Sequence, residues 1–94
     1  MTEQLFFLLS IGSQKYQFYY QMQGEKHKFK ATMTNIQLKA SSFIITKAYA
    51  MGTSEANAIA RLRSHISTAI ERGTSYSSAN PEFPGEVKLI TENI

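Results

Sequence analysis

The chain of 94 residues contains no cysteine and no aspartate. Without cysteine, it can form no disulfide framework, no thiolate nucleophile and no thiolate zinc site. All seven acidic residues are glutamates, whereas metal-dependent phosphoryl transfer usually relies on the shorter aspartate carboxylate to hold a hard cation. The composition therefore excludes thiol chemistry and disfavours metal-dependent phosphoryl transfer.

The sequence also lacks a long apolar run. A membrane-spanning helix needs about 18 to 20 consecutive apolar residues, and no segment reaches that length. The apolar run Leu5 to Leu9 is too short for a typical signal-peptide core, and Glu3 precedes it where a cationic segment is expected. We therefore expect a cytoplasmic protein with no membrane partner.

Recognisable catalytic motifs are missing as well. The five glycines are scattered singly, so they form no phosphate-binding fingerprint. His27 and His65 are the only groups that titrate near neutrality, and no aspartate can orient them. We expect His27 to be a partly buried structural residue on the inner face of a hairpin, and His65 to lie on a helix flank. The sequence predicts a protein that is not an enzyme, with no catalytic residue, no metal and no cofactor.

The residues that are present indicate a folded chain. Apolar residues make up 43% and charged residues 18% of the sequence, a balance typical of globular rather than disordered proteins. The length suits one domain, spanning residues 1–94, that can bury a modest core.

The clearest structural pattern runs from Tyr16 to Met33 and predicts a β-hairpin that turns at Gly24-Glu25. In this register Gln23 pairs with Lys26, and every apolar side chain falls on one face. The polar face carries Gln17, Tyr19, Gln21, Lys28, Lys30 and Thr32.

The other strand patterns extend this hairpin into an antiparallel meander of four to five strands over about residues 4–50. Leu5 to Ile11 is apolar on both alternating faces, which favours a central strand, with a subunit contact as the alternative. Ile36, Leu38 and Ala40 alternate with polar residues as a third or continued strand. Phe43 to Ala50 is β-branched and aromatic enough for a further strand.

A helix is predicted over about residues 54–72, with Thr53 or Ser54 as its N-cap and Gly73 as its stop. Its apolar stripe should cover the apolar face of the sheet. This stripe consists of Ile59, Leu62, Ile66, Ala69 and Ile70. An irregular loop over 73–86 and a short edge strand over 87–91 complete a fold of the α+β class.

Two basic surfaces are candidate binding sites. The first is the outward hairpin face, where lysines could contact phosphate and a tyrosine could stack on a base. It comprises Tyr19, Gln21, Lys26, Lys28 and Lys30. The alternative is an ordinary solvated face whose lysines prevent association of strand edges.

The second surface is the back of the helix. Arg61, His65 and Arg72 fall within an arc of roughly 40° at ideal helical geometry, opposite the apolar stripe. Such a ridge suits phosphate or an acidic protein, and an ordinary solvated helix face is the alternative.

These observations favour a small binding or regulatory protein. The net charge of +3 and the isoelectric point near 9.3 favour nucleic acid as the ligand of the hairpin face. The alternative is a protein-interaction module or inhibitor that binds a partner protein or self-associates into a homo-oligomer. The apolar strand Leu5 to Ile11 and the loop from Tyr76 to Phe83 motivate that alternative.

Overall fold

The computed structural model describes residues 5–34, 38–40 and 42–91. Within these ranges, the chain forms one seven-stranded antiparallel sheet and one helix. The elements are β1 (Leu5–Ile11), β2 (Gln14–Glu25), β3 (Lys28–Met33), β4 (Leu38–Ala40), β5 (Phe43–Gly52), α1 (Glu55–Arg72), β6 (Tyr76–Ser77) and β7 (Gly85–Thr91). The predicted α+β architecture, a meander packed against one helix, is confirmed.

The strands lie in the order β1-β2-β3-β5-β7-β6, and β4 pairs with β5. β3 and β4 both pair with β5, at its C-terminal and N-terminal halves respectively, as expected for a continued strand. Ile36, which was predicted to belong to this strand, lies outside the described residues. β7 pairs with β5 over most of its length and with the two-residue β6 on its other side.

The β2–β3 hairpin has the predicted faces but a different register. Gln23 pairs with Lys30 rather than Lys26, and the turn consists of Lys26 and His27. Gly24 lies in the strand, where a Cβ atom would collide with the carbonyl oxygen of Lys28. The glycine therefore permits a close backbone approach instead of forming the turn. Because the register moves by an even number of residues, each side chain keeps its predicted face.

The prediction that Leu5 to Ile11 is a central strand is wrong. β1 lies at one edge of the sheet, with β2 as its neighbour. On the helix-facing side, which we call the inner face, Phe7 and Leu9 are buried, and the Phe7 ring stacks on Phe18 with centroids 5.4 Å apart. On the opposite, outer face, Phe6 and Leu8 remain about half exposed, at 49% and 51%.

Helix α1 covers the inner face of β3, β5 and β7. The Ser54 hydroxyl accepts a hydrogen bond from the Asn57 amide at 3.0 Å, and Gly73 ends the helix with a φ of 70°. Leu62 and Ile66 are fully buried as predicted, together with Phe18, Ile45 and Val87. The buried stripe includes Ala58 and His65, whereas the predicted Ile59 and Ile70 are only partly buried.

A bulge in β5 decides which of its residues face the helix. The pairing of β5 with β7 shifts between Ile45 and Lys47, so that Thr46 is the extra residue. Ile45 and Ala48 are therefore both buried, and the alternation then turns Lys47 and Tyr49 to the outer face.

The outer face has no helix or second sheet packed over it among the described residues. Within the same ranges, no helix is both long enough and apolar enough to cross a membrane. The outer face is consequently open to contact with another molecule.

Leu62 tests the helix packing. Leu62→Ala removes a fully buried side chain from the helix–sheet interface, so we expect a loss of roughly 2 to 5 kcal/mol in the free energy of unfolding. Urea denaturation followed by circular dichroism measures this loss. Glu71→Ala, at an exposed position of the same helix, should change the free energy by less than about 0.5 kcal/mol. Equal effects of the two substitutions would contradict the packing described here.

Candidate functional site: the outer face of the sheet

A tyrosine flanked by two lysines occupies the middle of the outer face. The amine of Lys30 lies 4.8 Å from the centroid of the Tyr49 ring, and the amine of Lys47 lies 5.6 Å from it. Both distances fall within the range of cation–π attraction. We call Lys30, Lys47 and Tyr49 the tyrosine–lysine cluster.

The strand register brings these three residues together. Tyr49 on β5 lies opposite Thr32 on β3, and Lys30 lies opposite the next outward residue of β5, Met51. Lys47 precedes Tyr49 by two residues on β5, so their side chains share the outer face. The β5 bulge is required for this arrangement because it sets the direction of Lys47 and Tyr49.

The charge around the cluster is predominantly positive. Lys28, Lys30, Lys47 and Lys88 share the outer face with Glu25 and Glu86, as the pairing pattern shows. One oxygen of Glu86 lies 3.3 Å from the Lys47 amine, and the Lys47 side chain remains 58% exposed. An exposed ion pair of this kind contributes little to stability, so Lys47 can exchange its partner for another anion at small cost.

The predicted first surface is brought together only in part. Tyr19, Gln21, Lys28 and Lys30 do lie on the outer face, but Lys26 is in the hairpin turn with a φ of 60°. In the observed register Lys30 pairs with Gln23 of β2. Tyr19 is four residues from Gln23 along the same strand, a separation of roughly 13 Å. The ring of Tyr19 instead contacts that of Phe6 edge-on, with centroids 6.1 Å apart.

Sequence reasoning missed Tyr49 and Lys47 as site residues. Their spacing of two residues is the signal that places them on one face of a strand. The signal is obscured because Thr46 interrupts the alternation, and a bulge cannot be recognised from the pattern of β5 alone.

The predicted second surface is not an exposed ridge. His65 has only 7% of its surface exposed and packs against Tyr76 with ring centroids 4.8 Å apart. Arg61 donates a hydrogen bond from Nη2 to the carbonyl oxygen of Phe83 at 3.1 Å. The segment after the helix therefore folds over Arg61 and His65, and only Arg72 of the three is exposed.

The two histidines have environments opposite to those predicted. His27, expected to be partly buried, is exposed in the hairpin turn, and His65, expected on a helix flank, is buried. A Cβ atom on Gly85 would lie 2.7 Å from Nε2 of His65, so the glycine makes room for the imidazole. Within the part of the chain that the structure describes, Nε2 itself has no hydrogen-bond partner. Burial, and secondarily the positive charge of Arg61, lowers the pKa of His65 below its ordinary value of 6.5.

Comparison with protein-family models, curated proteins and solved structures finds no match to this chain. Within the described ranges, no three histidine or glutamate side chains come together to hold a metal ion. The aromatic rings and lysines of the outer face are the basis for a functional proposal.

The pH dependence of stability tests the burial of His65. The unfolded chain binds a proton on this residue near pH 6.5 and the folded protein only at lower pH, so protons favour unfolding. We expect the free energy of unfolding to be highest above pH 6.5 and to fall as the pH decreases below it. Urea denaturation at a series of pH values between about 5.5 and 7.5 measures this change.

Two variants assign the effect to one histidine. His65→Gln should reduce the dependence on pH in this window. His27→Gln, in the exposed hairpin turn, is the matched control. The same pH dependence in all three proteins would show that His65 is not the group responsible.

Proposed function

We propose that this protein binds single-stranded nucleic acid on the outer face of its sheet, with the tyrosine–lysine cluster at the centre of the site. The proposal depends above all on one observation, the two lysine amines held 4.8 and 5.6 Å from the centroid of the Tyr49 ring. An aromatic ring offers a stacking surface to a base of any sequence, and lysines beside it can contact the phosphates that flank that base.

A second aromatic position supports this proposal. Tyr19 lies on the same face as Tyr49. The two tyrosines are separated by two strand spacings and by about two residues along the strand, so they are roughly 12 Å apart. That separation suits two bases bound at different points of a strand rather than one base held between two rings. Sheets that bind single strands commonly use two or three such aromatic positions.

Neutral polar side chains between the aromatic residues supply hydrogen-bonding groups. Gln17, Gln21 and Gln23 are exposed along the outward side of β2. Each carries an amide that can both donate and accept, as the edges of bases require. Single-stranded nucleic acid fits this mixture of rings, amides and lysines better than a duplex, whose bases are stacked inside.

The affinity should depend on salt, but not steeply. Three to five lysines on this face can contact phosphate, which predicts a slope of roughly −2 to −4 for log affinity against log salt concentration. Fluorescence anisotropy with a labelled single-stranded oligonucleotide, measured over a series of salt concentrations, gives both the affinity and this slope. An unlabelled duplex of the same sequence serves as the competitor.

A double variant with a matched control tests the site. Lys30→Gln with Lys47→Gln should weaken binding at least tenfold at low salt and make the slope shallower by about 1.4, because two phosphate contacts are removed. Arg63→Gln with Arg72→Gln removes the same charge from exposed positions of the helix and should have a much smaller effect. Tyr49→Ala should weaken binding about 5- to 100-fold with little change in slope, since stacking rather than charge is lost.

Two outcomes would contradict this proposal. An unmodified protein that binds no single strand at low salt would exclude the function itself. Equal losses in the two double variants would show that attraction depends on net charge alone, and would remove the assignment to the outer face.

A further inference from the structure

The β1 edge of the sheet carries none of the features that usually prevent strands from pairing between molecules. Natural edge strands are protected by lysines, prolines, bulges or very short length. β1 is seven residues long, its sequence LFFLLSI contains no charge and no proline, and its pairing with β2 runs without a bulge. Among the described residues, no strand, helix or loop is paired with the other side of β1 over Phe6 to Ile11.

The side chains of β1 show a second unusual feature. Phe6 and Leu8 face outward and are 49% and 51% exposed, next to a strand edge rather than in the middle of a surface. Large apolar side chains that are half exposed at an unprotected edge favour association. A partner strand at this edge would pair with the backbone and cover both side chains.

We propose that the occupant of this edge is β1 of a second copy of the same chain, paired antiparallel about a twofold axis perpendicular to the sheet. An axis in this direction reverses the strand while keeping each face on its own side. Odd-numbered residues of one copy then lie opposite odd-numbered residues of the other, and even-numbered opposite even-numbered. Opposed residues therefore point to the same face of the sheet and have matching hydrogen-bonding directions, as antiparallel pairing requires. The strand is therefore compatible with its own copy by symmetry.

The register that we expect is centred on Leu8. In it Leu8 lies opposite Leu8 of the second copy, Phe7 opposite Leu9 and Phe6 opposite Ser10. These five residue pairs in an antiparallel ladder make about four to six backbone hydrogen bonds. No charged side chain is opposed or buried at any position, so pairing carries no cost from charge desolvation.

The opposite edge of the sheet is less suited to this kind of pairing. There β6 is only two residues long, and the neighbouring β7 carries Glu86 and Lys88 on its outer face. Charged residues at an edge oppose pairing with another strand. The asymmetry between the two edges favours a closed dimer through β1 rather than an open chain of sheets.

The proposed dimer has one sheet with both helices on its inner side and both outer faces on the other. The two copies of β5 would be seven strand spacings apart, or roughly 33 Å. Dimerisation through β1 does not use the tyrosine–lysine cluster, because β1 carries none of its residues, although Phe6 of β1 contacts the ring of Tyr19.

Sedimentation equilibrium of nuclease-treated protein at concentrations from about 1 to 300 µM tests association directly. We expect reversible monomer–dimer behaviour in this range, because pairing of one edge strand makes a small interface. Leu8→Lys should weaken dimerisation at least tenfold, since it places two lysines opposite one another at the axis. Ile90→Lys adds the same charge at a residue that is 53% exposed on β7, and should leave the dimer intact.

A cross-linking experiment tests the register. The protein has no cysteine, so Leu8→Cys introduces a single thiol. Directly opposed residues in an antiparallel ladder have Cα atoms about 4.5 to 5.5 Å apart, within the range that a disulfide spans. Ser10→Cys is the matched control, because two thiols at position 10 would be about four residues apart along the strands and too distant to join.

The inference is supported if Leu8→Cys forms a covalent dimer under mild oxidation much faster than Ser10→Cys does, and if Leu8→Lys, but not Ile90→Lys, weakens association at least tenfold. It is overturned by a protein that stays monomeric at every concentration, by a dimer that Leu8→Lys leaves unchanged, or by larger open assemblies. Circular dichroism of each variant establishes that it is folded. If the protein binds the oligonucleotide but does not dimerise, only the dimer proposal fails. If it dimerises but does not bind the oligonucleotide, only the nucleic-acid proposal fails.

Discussion

The close approach of helix α1 to strand β5 is the contact on which the rest of the structure depends. The inner face of β5 carries Ala48, Ala50 and Gly52, all small and all buried. A Cβ atom on Gly52 would lie 2.6 Å from the backbone nitrogen of Ala58, so that only glycine permits this spacing. Small residues on β5 allow the larger Leu62 and Ile66 to enter the core, where they are fully buried.

The position of the helix in turn determines what remains uncovered. One helix is about 10 Å wide with its side chains and covers two or three strands, spaced ~4.8 Å apart. Here it packs on β3, β5 and β7, and β1 extends beyond that layer. The aromatic rings of Phe7 and Phe18 stack on one another there, and the guanidinium of Arg63 lies 6.0 Å from the Phe7 ring. Among the described residues this is the one covering helix, so the outer face is left open.

The sequence was sufficient to predict the properties that follow from periodicity. Alternation along the β2–β3 hairpin predicted which side chains share a face, and the 3.6-residue period with Ser54 and Gly73 predicted the helix and its ends. The sequence was insufficient where one residue is compatible with two different local structures. Gly24 fits a turn and a close approach equally well, and the local sequence does not distinguish them.

Tertiary placement explains the remaining differences. His65 was predicted to lie away from the apolar stripe, but it is buried through contacts with Tyr76 and Gly85, which are distant in sequence. The apolar pattern of β1 is typical of a central strand, and only the strand order identifies it as an edge. The positions of Tyr19 and Lys30 on the outer face were predicted because these residues have the right parity. The position of Tyr49 was not predicted, because Tyr49 faces outward only through the bulge at Thr46.

The distribution of lysines bears on why they are present. Lysines that protect a sheet from association are expected on its edge strands, where unpaired backbone groups attract other chains. Here Lys30 and Lys47 lie on the interior strands β3 and β5, and the β1 edge has no charge. Edge protection therefore does not account for their position, and both amines are directed to the ring of Tyr49. The lysines in the middle of the sheet favour contact with an anion on the outer face. The absence of charge in β1 favours a different contact there, with a second sheet.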